Sequence, residues 1–261
     1  MNRKRASSTW SYDAIADVYA TDMGQSMPFD DVAWYRSACL QHAGPVLELG
    51  CGTGRILLEL LAAGIDAIGA DRSLPMLQRL SKDAAARNLP AHVVQMDLHA
   101  IALSAAFGVI LAPYSLITYL VDADAAVQVL RRVQRLLAPD GVLAVDAFVP
   151  QPVASFADFR LDYRRTHGAR QTLERHKRIT VNPDGSNRIE RRYRLGTADG
   201  GLVDEFLTEE TIRPYTASRI SELCALADLV PVSWCFDYGT RETANGARFA
   251  TGLFRRRTTR S

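Results

Sequence analysis

The chain is poor in lysine and cysteine and has no long apolar run, and each shortage removes a class of function. Lys4, Lys82 and Lys177 are the only lysines; the other basic residues are arginines. The formal charge of +2 over 261 residues gives no general attraction to nucleic acid or to an anionic membrane. Four cysteines, Cys39, Cys51, Cys224 and Cys235, are scattered without C-x-x-C spacing. That argues against a zinc site or a disulfide framework and fits a reducing cytoplasm. His42, His92, His99, His167 and His176 stand in no ligand spacing such as H-x-x-x-H, so no metal is expected. No stretch is apolar for long enough to span a bilayer. The basic opening, Met1 to Ser8, leads into no apolar segment of a secretory signal. A cytoplasmic protein with no membrane attachment is expected.

What is there is an ordinary core composition, 48% hydrophobic, and one stretch that organises the rest. Val46-Leu47-Glu48-Leu49 runs into Gly50-Cys51-Gly52-Thr53-Gly54-Arg55, and an amphipathic segment follows from Ile56 to Ala63. The pattern predicts a buried strand, a tight turn and a helix N-terminus. Glycine suits that turn because it lacks a Cβ and lets the backbone lie close to a ligand. Glu48 falls near the carboxyl end of the strand, where open α/β sheets place their ligands. A carboxylate there meets a cation or a hydroxyl more readily than a phosphate. The dinucleotide fingerprint G-x-G-x-x-G is absent, since Arg55 occupies the place of its third glycine. A nucleoside-type cofactor other than a dinucleotide is expected.

Two further strand-helix units follow. Ile65 to Ala70 ends in Asp71, and Ser73 caps a helix to about Arg87 with Leu74, Leu77 and Leu80 inward. An acid at that strand end has lone pairs for both hydroxyls of a ribose. A third strand, His92 to Met96, leads into Asp97-Leu98, so Glu48, Asp71 and Asp97 stand at the ends of three successive strands. Val109 to Ala112 forms a fourth strand before Pro113-Tyr114. A helix from Asp122 to Leu137 stops at Pro139-Asp140-Gly141, and Val142 to Val149 is the fifth strand. Alternating strands and helices of this kind build a parallel sheet covered on both faces.

The texture changes on either side. Before the first strand, Tyr12, Ile15, Ala16 and Tyr19 recur at helical spacing. Met27-Pro28-Phe29-Asp30-Asp31 then reads as the start of a second helix to Leu40. After Pro150, three charged strands are predicted: Arg170 to Val181, Arg188 to Thr197 and Leu202 to Arg213. Turns at Asn182-Pro183-Asp184-Gly185 and Asp199-Gly200-Gly201 separate them. Ile189, Tyr193 and Leu195 share one face of this half-exposed antiparallel sheet. Arginines and acids are interleaved there, so a solvated, ion-paired face is expected rather than a phosphate site. A helix from Thr216 or Ser218 and a strand pair, Val230 to Phe236 with Ala247 to Arg255, close the chain. The expected division is 1–44, 45–150, 151–214 and 215–261.

The run Glu48-x-Gly50-x-Gly52-x-Gly54, with acids at the next two strand ends and Leu136-Leu137-Ala138-Pro139-Asp140-Gly141 before the fifth strand, resembles class I S-adenosylmethionine-dependent methyltransferases. The resemblance covers Tyr12 to Pro150 well and the last helix and strands loosely. It implies an α/β, Rossmann-like, seven-stranded, mostly parallel sheet, an N-terminal helical lid over 1–44, and the antiparallel insertion as a substrate cover or dimer surface. It implies S-adenosyl-L-methionine as cofactor and S-adenosyl-L-homocysteine as product. Glu48 would meet the amino group of the methionine part, Asp71 the ribose and Asp97 the adenine amine. Gly50, Cys51, Gly52, Gly54 and Arg55 would pass under the ligand. Arg72, Met76, Met96, Leu98, Ala112 and Tyr114 would flank it, and Tyr12 and Tyr19 would fold over it.

The sequence departs from the family pattern at two points, and the second narrows the substrate. Gly108 stands where the family often has an aspartate, and no Asn/Asp-Pro-Pro-Tyr motif is present to grip a flipped base or a glutamine. Layout and the opening Tyr12-Asp13-x-x-Ala16-x-x-Tyr19 resemble aminosugar and glycine N-methyltransferase-like members. The expectation is methyl transfer to N or O of a small metabolite in natural-product chemistry, by a monomer or homodimer that binds no nucleic acid. Tyr114, ahead of Tyr19, is the candidate to meet the acceptor. An RNA or protein methyltransferase and a non-catalytic cofactor-binding protein are the alternatives. Asp146, inside the fifth strand, is expected to make buried structural hydrogen bonds.

Overall fold

The structure, a computed structural model, describes residues 11–23, 27 and 29–257. The basic opening, Met1 to Ser8, and Pro28 of the expected helix start fall outside the described residues. The chain divides into two compact units. One holds the described residues before Phe29 together with 151–213, and the other holds 29–150 and 214–257. The boundary at Phe29 therefore falls inside the 1–44 segment.

In the larger unit, a helix Asp31–Leu40 (α3) precedes the first strand, its N-cap Asp30 accepting from the Ala33 amide at 3.0 Å. Then come β1 (Val46–Leu49), α4 (Leu57–Ala62), β2 (Ala67–Asp71), α5 (Leu74–Ala86), β3 (His92–Gln95) and β4 (Phe107–Ala112). They are followed by α6 (Ala123–Leu136) and β5 (Leu137–Phe148). After the excursion of 151–213, α7 (Ala217–Leu226), β10 (Leu229–Phe236) and β11 (Phe249–Arg256) finish the unit. These strands form one sheet in the order β10-β11-β5-β4-β1-β2-β3. β1 to β5 are parallel, and β11 runs antiparallel to both β5 and β10.

The central strands are buried throughout because both sheet faces are covered: every residue of β1 and β4 is buried, and all but Glu48 are apolar. Helix α6 lays Val127, Leu130, Val133 and Leu136 into the core, capped at its start by Asp122. Ser73 caps α5 as expected, accepting from the Met76 amide. The predicted turn at Pro139-Asp140-Gly141 persists as a bulge rather than a break. Phe107 pairs with Leu137 and Val109 with Val142, so β5 already runs on either side of it.

Gly108 has a steric reason. A Cβ built there would overlap the Ala43 carbonyl oxygen, so no side chain, aspartate included, fits at this position.

The smaller unit is a four-stranded antiparallel meander, β6 (Phe156–His167), β7 (Gln171–Val181), β8 (Asn187–Thr197) and β9 (Leu202–Ile212). Its first strand was not anticipated. Register shifts between Phe156 and Arg160, and again between Leu161 and Tyr163, break the alternation by which β6 would be read. Two short helices, α1 (Ser11–Ile15) and α2 (Tyr19–Met23), belong to this unit. Asp22 of α2, buried, takes hydrogen bonds from Tyr163, Arg175 and Tyr193, while Arg165 donates to the Thr21 and Asp22 carbonyls. Arg175 also pairs with Asp162. Elsewhere the arginines meet acids across the strands: Arg164 with Glu174, Arg178 with Glu190, Arg191 with Glu210 and Arg194 with Glu205.

Candidate active site

Three carboxylates stand at the carboxyl ends of three adjacent strands, β1, β2 and β3, of the larger unit. Glu48 is the third residue of β1 and 2% exposed. Burial pushes its carboxyl up to about 8, with Asp71 and Asp31 adding to the rise while Arg55 and the Leu57 amide oppose it. One of its oxygens, Oε2, is buried with no hydrogen-bond partner. An orphaned buried carboxylate oxygen is costly, and a ligand cation would satisfy it.

The glycine turn is fixed by Asp71, the last residue of β2. One Asp71 oxygen accepts from the Gly52 amide at 2.9 Å and the other from the Ser73 amide at 2.7 Å. A carboxylate oxygen can accept from more than one donor, the chemistry that ribose hydroxyls call for. Gly50 has φ +67°, and a Cβ there would stand 2.8 Å from the Leu116 side chain. The left-handed backbone favours glycine at that point, and any Cβ would also displace the Leu116 side chain. Cys51 is buried, and burial raises its thiol well above the ordinary value.

Asp97, beyond β3, caps a short 3-10 turn, accepting from the His99 amide at 2.8 Å and meeting the His99 ring at 3.0 Å. Arg72 lies 3.4 Å away. Burial works against the charged form, but the His99 hydrogen bonds and Arg72 hold Asp97 below the usual carboxylate range. Among the other expected residues, Leu98 and Met96 pack against the core as partly buried side chains, Met76 is buried, and Ala112 ends β4.

Tyr114 and Ser115 follow β4 and are both left-handed, at φ +54° and +60°. The Tyr114 ring lies 5.4 Å from Phe148 and 6.2 Å from Phe249, and the Arg55 guanidinium is 5.9 Å from its centroid. Phe148 is 43% exposed, so an aromatic surface opens at the ends of β4 and β5. Tyr12 and Tyr19 lie in the smaller unit, where their rings pair edge-on at 5.8 Å.

Two features were beyond sequence reading. Arg55 is held by Asp31 through two 2.7 Å hydrogen bonds, although Asp31 read only as a helix-start acid. Asp146, fully buried as expected, gathers hydroxyl and amide donors. It accepts from Tyr35 at 2.6 Å, Tyr238 at 2.5 Å and the Ser115 amide at 2.5 Å. Burial raises its carboxyl, and burial beside Asp146 lifts the Tyr35 hydroxyl well above its ordinary value. Among the described residues no group of His, Cys, Asp and Glu forms a metal site, and no helix is long and apolar enough to cross a membrane.

Residues 46–141 match the family model of a methyltransferase domain. The chain is similar to the cypemycin N-terminal methyltransferase of a Streptomyces species, 27% identical over 140 residues, covering 54% of this chain and 54% of that protein. The chain thus spans about half the length of the curated relatives it matches. Among solved structures it is similar to the CcbJ methyltransferase of Streptomyces caelestis, at 25% identity and a TM-score of 0.78, covering 95% of this chain and 99% of that one. The sugar N-methyltransferase KedS8 of a Streptoalloteichus species shares the fold at 21% identity and a TM-score of 0.71, covering 92% of each chain.

Proposed function

We propose that the protein moves the methyl group of S-adenosyl-L-methionine to N or O of a small metabolite, a reading supported by the match of residues 46–141 to the model of a methyltransferase domain and by the mostly parallel seven-stranded sheet. The observation that carries this is the buried, unpartnered Oε2 of Glu48, beside a glycine turn that Asp71 holds open. The donor set fits the cofactor. Glu48 takes the ammonium, Asp71 the ribose hydroxyls and Asp97 the adenine amine, while Gly50, Cys51, Gly52, Gly54 and Arg55 form the floor.

The bound sulfonium supplies an activated methyl group that carries its own leaving group. What remains for the chain is alignment and exclusion of water, and good alignment alone is worth about 7–11 kcal/mol. Tyr114 and the exposed Phe148 offer the acceptor an apolar, aromatic seat at the ends of β4 and β5. Arg72, Met76, Met96, Leu98 and Ala112 complete the cofactor contacts. A small acceptor is favoured over RNA by the cross-strand pairing of the insertion's arginines, which leaves no continuous basic face among the pairs described above.

Calorimetry with S-adenosyl-L-homocysteine tests the cofactor assignment, and no binding would remove it. Methyl transfer from labelled cofactor is then compared on a panel of aminosugars and hydroxylated metabolites and on total RNA. Label appearing in RNA alone would replace the small-molecule reading.

A further inference from the structure

Asp146 lies at the meeting point of four chain segments that are remote in sequence. It sits in β5 and is fully buried. One carboxylate oxygen, Oδ1, accepts from the Ser115 amide at 2.5 Å, and the Tyr114 amide also bonds the carboxylate. The other, Oδ2, accepts from the hydroxyls of Tyr35 in α3 and Tyr238 between β10 and β11.

The two amides on Asp146 belong to the two left-handed residues that follow β4. Non-glycine residues rarely take that conformation, and two in succession persist only where surroundings fix them. The Ser115 hydroxyl strengthens the hold by accepting from the Phe148 amide at 2.7 Å. This turn sets two positions at once. It brings Leu116 against Gly50 of the glycine turn, and it points the Tyr114 ring between Phe148 and the Arg55 guanidinium.

We propose that Asp146 is a positioning residue: it clamps the Tyr114–Ser115 turn from beneath, with Tyr35 and Tyr238 holding its far oxygen, and so fixes where the acceptor-facing ring stands relative to the cofactor floor. Function in this sense rests on the methyl-transfer reading, but the clamp itself does not.

The test is hydrogen exchange, followed amide by amide, on Asp146→Ala and Asp146→Asn. The asparagine is the conservative variant, because its oxygen can accept from Ser115 while its amide donates to the two tyrosine oxygens. In Asp146→Ala the Tyr114 and Ser115 amides should exchange at least ~100-fold faster, while amides of β1 and β2 keep their protection. In Asp146→Asn the turn should exchange within about tenfold of the wild-type rate. Asp146→Leu, of similar volume and without oxygens, takes the place of the alanine variant if that one does not fold. Unchanged exchange at Tyr114 and Ser115, or an even loss of protection across the whole sheet, would overturn the clamp. Affinity for S-adenosyl-L-homocysteine, measured in parallel, should fall in Asp146→Ala, because the turn packs Leu116 on Gly50 of the cofactor floor, and return toward the wild-type value in Asp146→Asn. A wild-type protein that binds no S-adenosyl-L-homocysteine would end the methyl-donor reading and leave the exchange result standing.

Discussion

Asp31 grips Arg55 with both oxygens, each guanidinium nitrogen at 2.7 Å, and Asp31 is only 1% exposed. A helix before the first strand thereby fixes the cation at the end of the glycine turn. Losing one partner strands a buried charge, which costs about 3–5 kcal/mol in a fully buried pair. The Arg55 side chain is 30% exposed, so solvent screening reduces this to about 1–3 kcal/mol for Arg55→Ala. Arg55→Lys should recover little, because a point charge cannot form the fork. Urea midpoints of the single variants and of Arg55→Ala with Asp31→Ala together measure the coupling; additive losses would show no coupling.

Glu48 predicts a pH dependence. Its carboxyl is raised to about 8, chiefly by burial, so the folded protein holds a proton that the unfolded chain releases near the ordinary carboxylate value. Stability from this group is therefore present at low pH and declines as pH climbs from the ordinary value toward 8. Docking an ammonium against Glu48 requires the ionised form. Binding of S-adenosyl-L-homocysteine at pH 7 should release about one proton. Calorimetry in phosphate and in Tris reads that proton as a difference in apparent enthalpy. Equal enthalpies, or release that survives Glu48→Gln, would refute the assignment.

Asp71→Ala removes the acceptor of the Gly52 and Ser73 amides as well as the proposed ribose contact. Affinity for S-adenosyl-L-homocysteine should fall about 10–100-fold, the worth of hydrogen bonds to a charged group, while the protein still melts cooperatively. Unaltered affinity in the folded variant would take the ribose away from Asp71.

Gly108 should accept no side chain. Gly108→Ala places a methyl group on the Ala43 carbonyl and should cost about 1–3 kcal/mol, read as a lowered urea midpoint, with Gly108→Asp costing more. A variant as stable as wild type would mean that the Ala43–Gly44 segment yields freely.

Asp22 ties α2 to the antiparallel sheet of its own unit through Tyr163 and Arg175. Asp22→Ala leaves Arg175 with Asp162 alone. Limited proteolysis should then cut near residues 19–23 faster, with the larger unit's melting temperature unmoved. Equal cleavage rates would show that α2 is held by other contacts.

The strands of the larger sheet and the three acids were legible because they obey local rules. Phe107–Ala112 is a continuous apolar run and Val46–Leu49 is apolar but for Glu48, as suits strands buried on both faces, while Asp71 and Asp97 stand at or just past the ends of the next two strands. β6 was illegible for the opposite reason, since its bulges put successive apolar residues out of phase.

The sequence alone determined the alternation of strand and helix, the glycine turn and the carboxylates at successive strand ends, because each is written within a few adjacent residues. Only the tertiary structure decided what those groups face. Arg55 meets an acid 24 positions away, and Asp146 meets tyrosines 111 and 92 positions away. Such partners are chosen by chain segments packing in space, and no periodicity in the sequence records the choice.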